Sequence, residues 1–177
     1  MKKLGKTKPL ALVGLMGSGK TETARALAQA LGASMADLDT MLEAIEGATI
    51  SELFARSGEA WFRRRESEVL ARAISEGVHV IACGGGIVLD PERRRTLRDD
   101  CETVWLEVTP AEAARRVGSA PGTRPMLAGA EPVARLTALL AERTPLYAEV
   151  ASLRVDTDGR TPVEVAELVL AGLAKRA

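Results

Sequence analysis

The chain has 177 residues, a length that suits one domain with a sizeable core, and 46% of them are apolar. Lys+Arg and Asp+Glu number 24 each, so the net charge is zero and no bulk attraction to nucleic acid or to an anionic membrane is expected. Aromatic residues make up only 3%, too few for a platform that stacks single-stranded nucleic acid, and no stretch nears the roughly 18 apolar residues of a spanning helix.

In chain order, the start "MKKLGKTKPLALVGLMGSGK" reads as a basic tail and a first strand, not as a signal peptide, because a Gly/Lys loop stands where a cleavage site would be. The first strand is expected at Leu10–Gly14 and a helix at Thr21–Leu31. Between them "GLMGSGKT", Gly14 to Thr21, fits G-x-x-x-x-G-K-[ST] in the required strand-before, helix-after context. Glycines let such a loop turn tightly, so that backbone N–H groups and the next helix's N-terminus face phosphate oxygens. Gly17, Ser18, Gly19, Lys20, Thr21 and Glu22 are the candidate nucleotide contacts. Lys20 is expected to reach the β/γ-phosphates and the Thr21 hydroxyl to meet Mg²⁺.

The second strand is expected at Ser34–Asp37. "MADLDTML" sets Asp37 and Asp39 two apart; in an extended chain both would point the same way, roughly 7 Å apart. One can serve a Mg²⁺ shell while the other holds an acceptor hydroxyl, or both can be solvated loop acids. Thr49-Ile50-Ser51-Glu52 is a capping box. In "SGEAWFRRRESEVL", Arg63 and Glu66 are spaced i,i+3 on a helix and can simply pair on a solvated face. Alternatively, Trp61 and Phe62 form an apolar wall that strengthens an Arg63–anion contact.

The third strand is expected at Val78–Cys83. The single histidine, His79, flanks it as a structural residue, which leaves no candidate for a His-based triad or a multi-His zinc site. Cys83 and Cys101 match no metal spacing and read as buried, reduced thiols of a cytosolic protein. Gly84, Gly85 and Gly86 follow the strand, where they suggest backbone pressed against a ligand or a tight bend. Asp90-Pro91 starts a helix, the fourth strand spans Thr103–Val108, and Thr109-Pro110-Ala111-Glu112 starts another helix. Residues 118–132, "GSAPGTRPMLAGAEP", are a mobile lid carrying Arg124 or a disordered connector. A helix at Val133–Val150 carries Arg143, Leu153–Val155 is the last strand, and Thr161-Pro162-Val163-Glu164 caps the last helix. Short, mostly apolar strands alternating with helices argue for an α/β fold with a parallel sheet and right-handed crossovers.

The phosphate loop does not say where a phosphate goes. A GTPase would need an Asn-Lys-x-Asp element, and the chain contains no asparagine. The D-x-x-G match at Asp156–Gly159 follows the last strand, too late to serve a γ-phosphate. Motor and AAA-type ATPases need an apolar strand ending in Asp-Glu, and no expected strand ends so. A small kinase remains, with several arginines as charge clamps for phosphates and a carboxylate.

"GLMGSGKT", "DLD", "FRRRE", "GGGIVL", "TRPML" and "ERTPLY", in that order, resemble the shikimate kinase family, from the first strand to Pro162. The resemblance implies a single domain over 1–177 with a three-layer α/β/α P-loop kinase fold. It implies a five-stranded parallel sheet in 2-3-1-4-5 order, a substrate-binding segment about 38–66 and the lid about 118–132. It implies ATP and Mg²⁺, with transfer to the 3-hydroxyl of shikimate in aromatic amino-acid biosynthesis, in the cytoplasm. Residue by residue, Asp39 would hold the ring hydroxyls, and Arg63 and Arg143 would clamp the carboxylate. Glu66 would orient Arg63, and Gly84, Gly85 and Gly86 would line the ring. Asp37 would serve Mg²⁺ through water beside Thr21, while Lys20, Asp39 and Arg124 would carry the transfer. Arg160 and Pro162 would lie by the adenine, with Arg115 or Arg116 stacking on it. The lid reads Arg-Pro-Met-Leu where Arg-Pro-Leu-Leu is usual. A kinase for another polyhydroxy acid such as gluconate, or a silent nucleotide-sensing domain, are the rival readings. No exposed apolar stripe stands out, which favours a monomer.

Overall fold

The computed structural model describes residues 8–118 and 131–176. Its elements run β1 (Leu10–Val13), α1 (Lys20–Leu31), β2 (Met35–Asp37), α2 (Leu38–Glu46), α3 (Ile50–Ser75), β3 (Val80–Ala82), a single 3₁₀ turn (Ile87–Leu89), α4 (Pro91–Asp100), β4 (Glu102–Glu107), α5 (Pro110–Gly118), α6 (Pro132–Val150), β5 (Leu153–Asp156) and α7 (Pro162–Ala174). Each expected strand is present, with ends displaced by at most two residues.

All strand pairs are parallel and the order is β2-β3-β1-β4-β5, as the resemblance implied. β1 is central: Leu10 stands opposite Val80 on one side and Glu102 on the other. Its four residues are all buried because helices cover both faces. Ala11 and Val13 point into a cluster with Phe62, Leu97 and Tyr147, from α3, α4 and α6. Leu10 and Leu12 point the other way, against Leu27 of α1 and Val165 and Val169 of α7. The two edge strands fall outside the mostly apolar, buried pattern. β2 is half-buried and β5 leaves Arg154 and Asp156 exposed, since an edge strand has a neighbour on one side only. A third cluster of Leu15, Met16, Val108, Ala113, Leu136 and Leu139 seats α5 and α6 beneath the phosphate loop. Each fully buried Leu contributes about 1.5–3 kcal/mol of transfer free energy.

Helix starts follow their caps. Thr49 and Thr161 form complete capping boxes with Glu52 and Glu164, and Asp90 accepts from the N–H groups of Glu92 and Arg93. Thr109 departs from that pattern. Its hydroxyl accepts from Glu112 N–H, but the Glu112 carboxylate goes to Arg115 and Arg116, and Thr109 N–H donates to Asp158. Two guanidiniums outbid one amide for the same carboxylate. Helix α3 is kinked at Gly58 (φ 76°, ψ 172°), a conformation open to glycine and closed to most other residues. Among the described residues no helix is long and apolar enough to cross a membrane.

Candidate active site

A cleft of about 1260 Å³ opens where β1, β2 and β3 end, large enough for a nucleotide and a small second molecule together. The phosphate loop forms one end. Gly17 and Gly19 have φ of 81° and 82°, in the left-handed region where glycine costs least. Gly17 is also closed in by packing, since a Cβ there would stand 2.8 Å from the Ala113 carbonyl oxygen. Ser18 is buried, and Lys20 folds back over the loop, donating from Nζ to the carbonyls of Gly14 and Leu15 at 2.9 Å each. Gly17, Ser18, Gly19, Lys20, Thr21 and Glu22 all line the cleft.

Asp37 closes the strand and opens a helix at once. Its Oδ1 accepts from the N–H groups of Asp39 (3.0 Å) and Thr40 (3.2 Å), which caps α2, while Oδ2 accepts from Thr21 Oγ1 at 2.5 Å. The condition of an extended chain through Asp39 is not met: the strand ends at Asp37 and an aspartate cap turns the chain into α2. Both carboxylates still line the cleft. The Thr21 hydroxyl and Asp37 carboxylate supply two adjacent hard oxygens, the donor chemistry that suits Mg²⁺ held mainly by phosphates and water. Among the described residues no three His, Cys, Asp or Glu side chains gather as a metal cage.

The other end of the cleft is built from charged side chains on separate elements. Arg63 of α3 is 18% exposed and its Nη1 donates to Glu66 Oε2 at 2.7 Å. The i,i+3 pair is thus real, yet it lies at the cleft and not on a solvated face. The aromatic wall differs from expectation. Phe54 and Phe62 stack at 4.3 Å and lie 6.0 and 5.6 Å from the Arg63 guanidinium carbon, whereas Trp61 lies beside Arg65. On a helix Trp61 and Phe62 point about 100° apart, so only one can back Arg63.

None of the three glycines after β3 has positive φ, and crowding explains two of them, Gly84 and Gly86. A Cβ on Gly84 would stand 2.9 Å from Glu66 Oε1 and 3.2 Å from Asp39 Oδ1, and one on Gly86 would stand 2.5 Å from Arg63 Nη1. A Cβ on Gly85 would make only ordinary contacts, 3.5 Å from the Gly14 carbonyl oxygen and 3.6 Å from Arg143 Nη1, and the Gly85 carbonyl accepts from Tyr147 OH at 2.6 Å. Arg143 is 3% exposed despite its charge. Among the described residues, Nε of Arg63 and of Arg143 are buried without a hydrogen-bond partner.

Arg116 and Arg115 separate cleanly. Arg116 lines the cleft and donates to Gly17 O (3.2 Å), Thr157 Oγ1 (3.0 Å) and Thr157 O (2.6 Å). Arg115 is exposed and faces Glu112. Arg160 and Pro162 also line the cleft, with Arg160 paired to Asp156 at 2.6 Å. Arg124 and most of the 118–132 segment lie outside the described residues. Cys83 lines the cleft, but burial pushes its thiol well above the usual range, and burial takes Cys101 to about 12, so neither is a nucleophile near neutral pH. His79 flanks β3 and its Nδ1 meets Ser34 Oγ at 2.8 Å, a structural contact.

One residue of the site was not anticipated. Arg93 of α4 is 3% exposed and donates from Nη1 to Glu66 Oε2 (3.0 Å) and to the Arg63 carbonyl (2.8 Å). The available signal was its place four residues before the buried Leu97, on the inward stripe of an otherwise very polar helix.

The family model described as shikimate kinase matches residues 16–174. The chain is 44% identical over 168 residues to shikimate kinase of Symbiobacterium thermophilum, covering 94% of this chain and 97% of that protein. Over 164 residues it is 45% identical to the Thermobifida fusca shikimate kinase, covering 92% and 94%. Among solved structures, Acinetobacter baumannii shikimate kinase in complex with shikimate superposes with TM-score 0.91 at 34% identity, covering 96% and 94%. A gluconokinase from Sinorhizobium meliloti, at 21% identity with TM-score 0.61 and coverage of 96% and 93%, shares the fold alone.

Proposed function

The chain belongs to the shikimate kinase family, and from that premise we propose how its residues divide the transfer of the γ-phosphoryl of ATP to the 3-hydroxyl of shikimate. The products are shikimate 3-phosphate and ADP, in the aromatic amino-acid (chorismate) pathway. The observation that carries the reading is that one cleft joins a phosphate loop to Asp39 and two arginines, Arg63 and Arg143.

At the donor end, backbone N–H groups from Gly17 to Thr21 hold the phosphates and Lys20 leaves the loop carbonyls for the β/γ-phosphates. Arg116, Arg160 and Pro162 border the adenine, with Arg116 and not Arg115 the stacking candidate. Thr21 and, through water, Asp37 would hold Mg²⁺, which when bound neutralises phosphate charge. At the acceptor end, Arg63 and Arg143 clamp the carboxylate, each charged hydrogen bond contributing about 1.5–3 kcal/mol. Glu66 orients Arg63, and the backbone of Gly84, Gly85 and Gly86 lies along the ring.

Asp39 holds the attacking hydroxyl in line. A loose phosphoryl-transfer transition state demands position more than a strong base. Lys20 and Arg124 neutralise the charge that develops on the transferred group, with Arg124 brought in by a lid over 118–132. The unit is a single domain over 1–177 whose substrate segment is about 38–66. We read it as a cytoplasmic monomer. Two buried thiols suit a reducing compartment, and the exposed large apolar residues are scattered over α1, α2, α6 and α7.

The test is ADP release from Mg-ATP with shikimate, with gluconate and with water alone. Release that depends on shikimate is expected. Gluconate-dependent release would reassign the acceptor, and release independent of both acids would make the protein an ATPase.

A further inference from the structure

Glu66 is shared. Its Oε2 accepts from Arg63 on one side at 2.7 Å and from Arg93 on the other at 3.0 Å, and Glu66 and Arg93 are 4% and 3% exposed. Arg63, by contrast, keeps one face on the cleft. If Glu66 and Arg63 formed a closed pair, the carboxylate would cancel the arginine's charge, and Arg63 would meet an incoming anion as half of a neutral couple. Arg93 changes the formal balance. Among the buried and half-buried side chains packed around Arg63 and the Gly84–Gly86 turn, three guanidiniums, Arg63, Arg93 and Arg143, stand against two carboxylates, Glu66 and Asp39; Glu59 also meets Arg63, at 3.3 Å, but it is 67% exposed and water screens its charge. The surplus of one positive charge matches one substrate carboxylate. Without Arg93 the surplus is zero, and binding the acid leaves a partly buried net negative charge, which is costly.

Arg93 also fixes position. The nitrogen that meets Glu66 donates to the Arg63 backbone carbonyl at 2.8 Å, so one group ties α4 to both ends of the Arg63–Glu66 pair. Asp90 caps the same helix through the N–H of Arg93. Burial lowers the Arg93 pKa while Glu66 opposes the change, and an arginine stays charged there.

We propose that Arg93 is a positioning residue for acceptor binding: by sharing Glu66 with Arg63 it leaves Arg63 a net positive charge for the acceptor's carboxylate. The inference rests on Arg63 binding that carboxylate, as set out above.

The pair Arg93→Gln and Arg93→Lys tests it. Gln keeps an N–H donor and drops the charge; Lys keeps the charge on a different shape. Gln should raise the shikimate KM about tenfold with the ATP KM and kcat within about twofold, and Lys should stay within about threefold of the parent. Circular dichroism and Tm report folding for each. A Gln variant with unchanged shikimate KM and only a lower Tm would make Arg93 a structural staple between α3 and α4 and overturn the inference. Equal KM increases for Gln and Lys would overturn it too, because geometry and not charge would then be at stake. If Gln does not fold, the Lys variant alone decides: parental KM supports the charge argument, and a tenfold rise refutes it. Arg63→Ala, measured alongside, separates the two levels. If it leaves the shikimate KM unchanged, the underlying reading of Arg63 fails; if it raises KM while Arg93→Gln does not, only the role of Arg93 fails.

Discussion

The two ends of the cleft are made of different materials. The phosphate-holding part of the donor end is one continuous run, Gly14 to Thr21, whose chemistry lies in backbone N–H groups and in the left-handed turns that aim them. The acceptor end is assembled from α2, α3, α4, α6 and the Gly84–Gly86 turn, and its chemistry lies in charged side chains held by one another. A backbone site tolerates side-chain change where the side chain points away and fails where a Cβ cannot fit. A side-chain site tolerates backbone adjustment and fails when a charge loses its partner. The contrast predicts which kinetic constant each substitution moves.

The largest effect belongs to Asp39, where the two ends meet. Asp39→Asn should lower kcat by about 10²–10⁴-fold while nucleotide binding, read by equilibrium titration with ADP, stays near the parent value. Near-normal turnover would remove Asp39 from alignment of the hydroxyl. Next is Arg143→Ala, which should raise the shikimate KM at least about tenfold and change the ATP KM little, since the proposed clamp on the carboxylate lies only at the acceptor end. Equal changes in both KM values would mean that the variant loosens α6 instead of the clamp.

The complementary change at the donor end is Gly17→Ala. It adds one carbon, at a φ of 81° and 2.8 Å from the Ala113 carbonyl oxygen. The strain costs on the order of 1–3 kcal/mol. The ATP KM should rise several-fold, with the shikimate KM unchanged. A selective rise in the shikimate KM would break the division between the ends.

The same contrast decides what could be read from the sequence. A run of consecutive residues with fixed spacing is visible as a motif, so the phosphate loop, its strand and its helix were legible, as was the parallel α/β class from the alternation of strands and helices; the sheet order came only with the family resemblance. Asp39, Arg63, Gly85 and Arg143 could be named only together, through the family pattern, because 103 residues of intervening chain between Asp39 and Arg143 hide their meeting. Where sequence reasoning stopped, the reason is side-chain direction. Arg115 and Arg116 are neighbours in sequence and diverge on a helix, so spacing from Arg124 did not choose between them. Phe54 takes the place given to Trp61 because the kink at Gly58 folds the start of α3 back over Phe62. Arg93 went unseen because an arginine in "PERRRTLRDD" reads as a solvated face, and burial becomes worthwhile only once Glu66 is there to receive it.

The smallest effect probes the seam between the ends. Tyr147 OH donates to the Gly85 carbonyl, and Gly85 packs next to Gly14 of the phosphate loop. Tyr147→Phe removes one buried hydrogen bond and leaves that carbonyl unpaired, at a cost of about 1 kcal/mol in Tm-derived stability. The shikimate KM should change less than about twofold, because the proposed arginine clamp is left intact. The pH dependence gives a second handle. Burial raises the Tyr147 phenol from its ordinary 10.0 to about 12, so folding favours the neutral form. That contribution is complete below pH 10 and is lost as pH rises through 12. Tyr147 is the single tyrosine of the chain, so tyrosinate absorbance reports it alone. The absorbance should appear near pH 12 in the folded protein and near pH 10 in urea. Titration near 10 in both would mean that the phenol is not held against Gly85, and that the seam is kept by the packing of α6 alone.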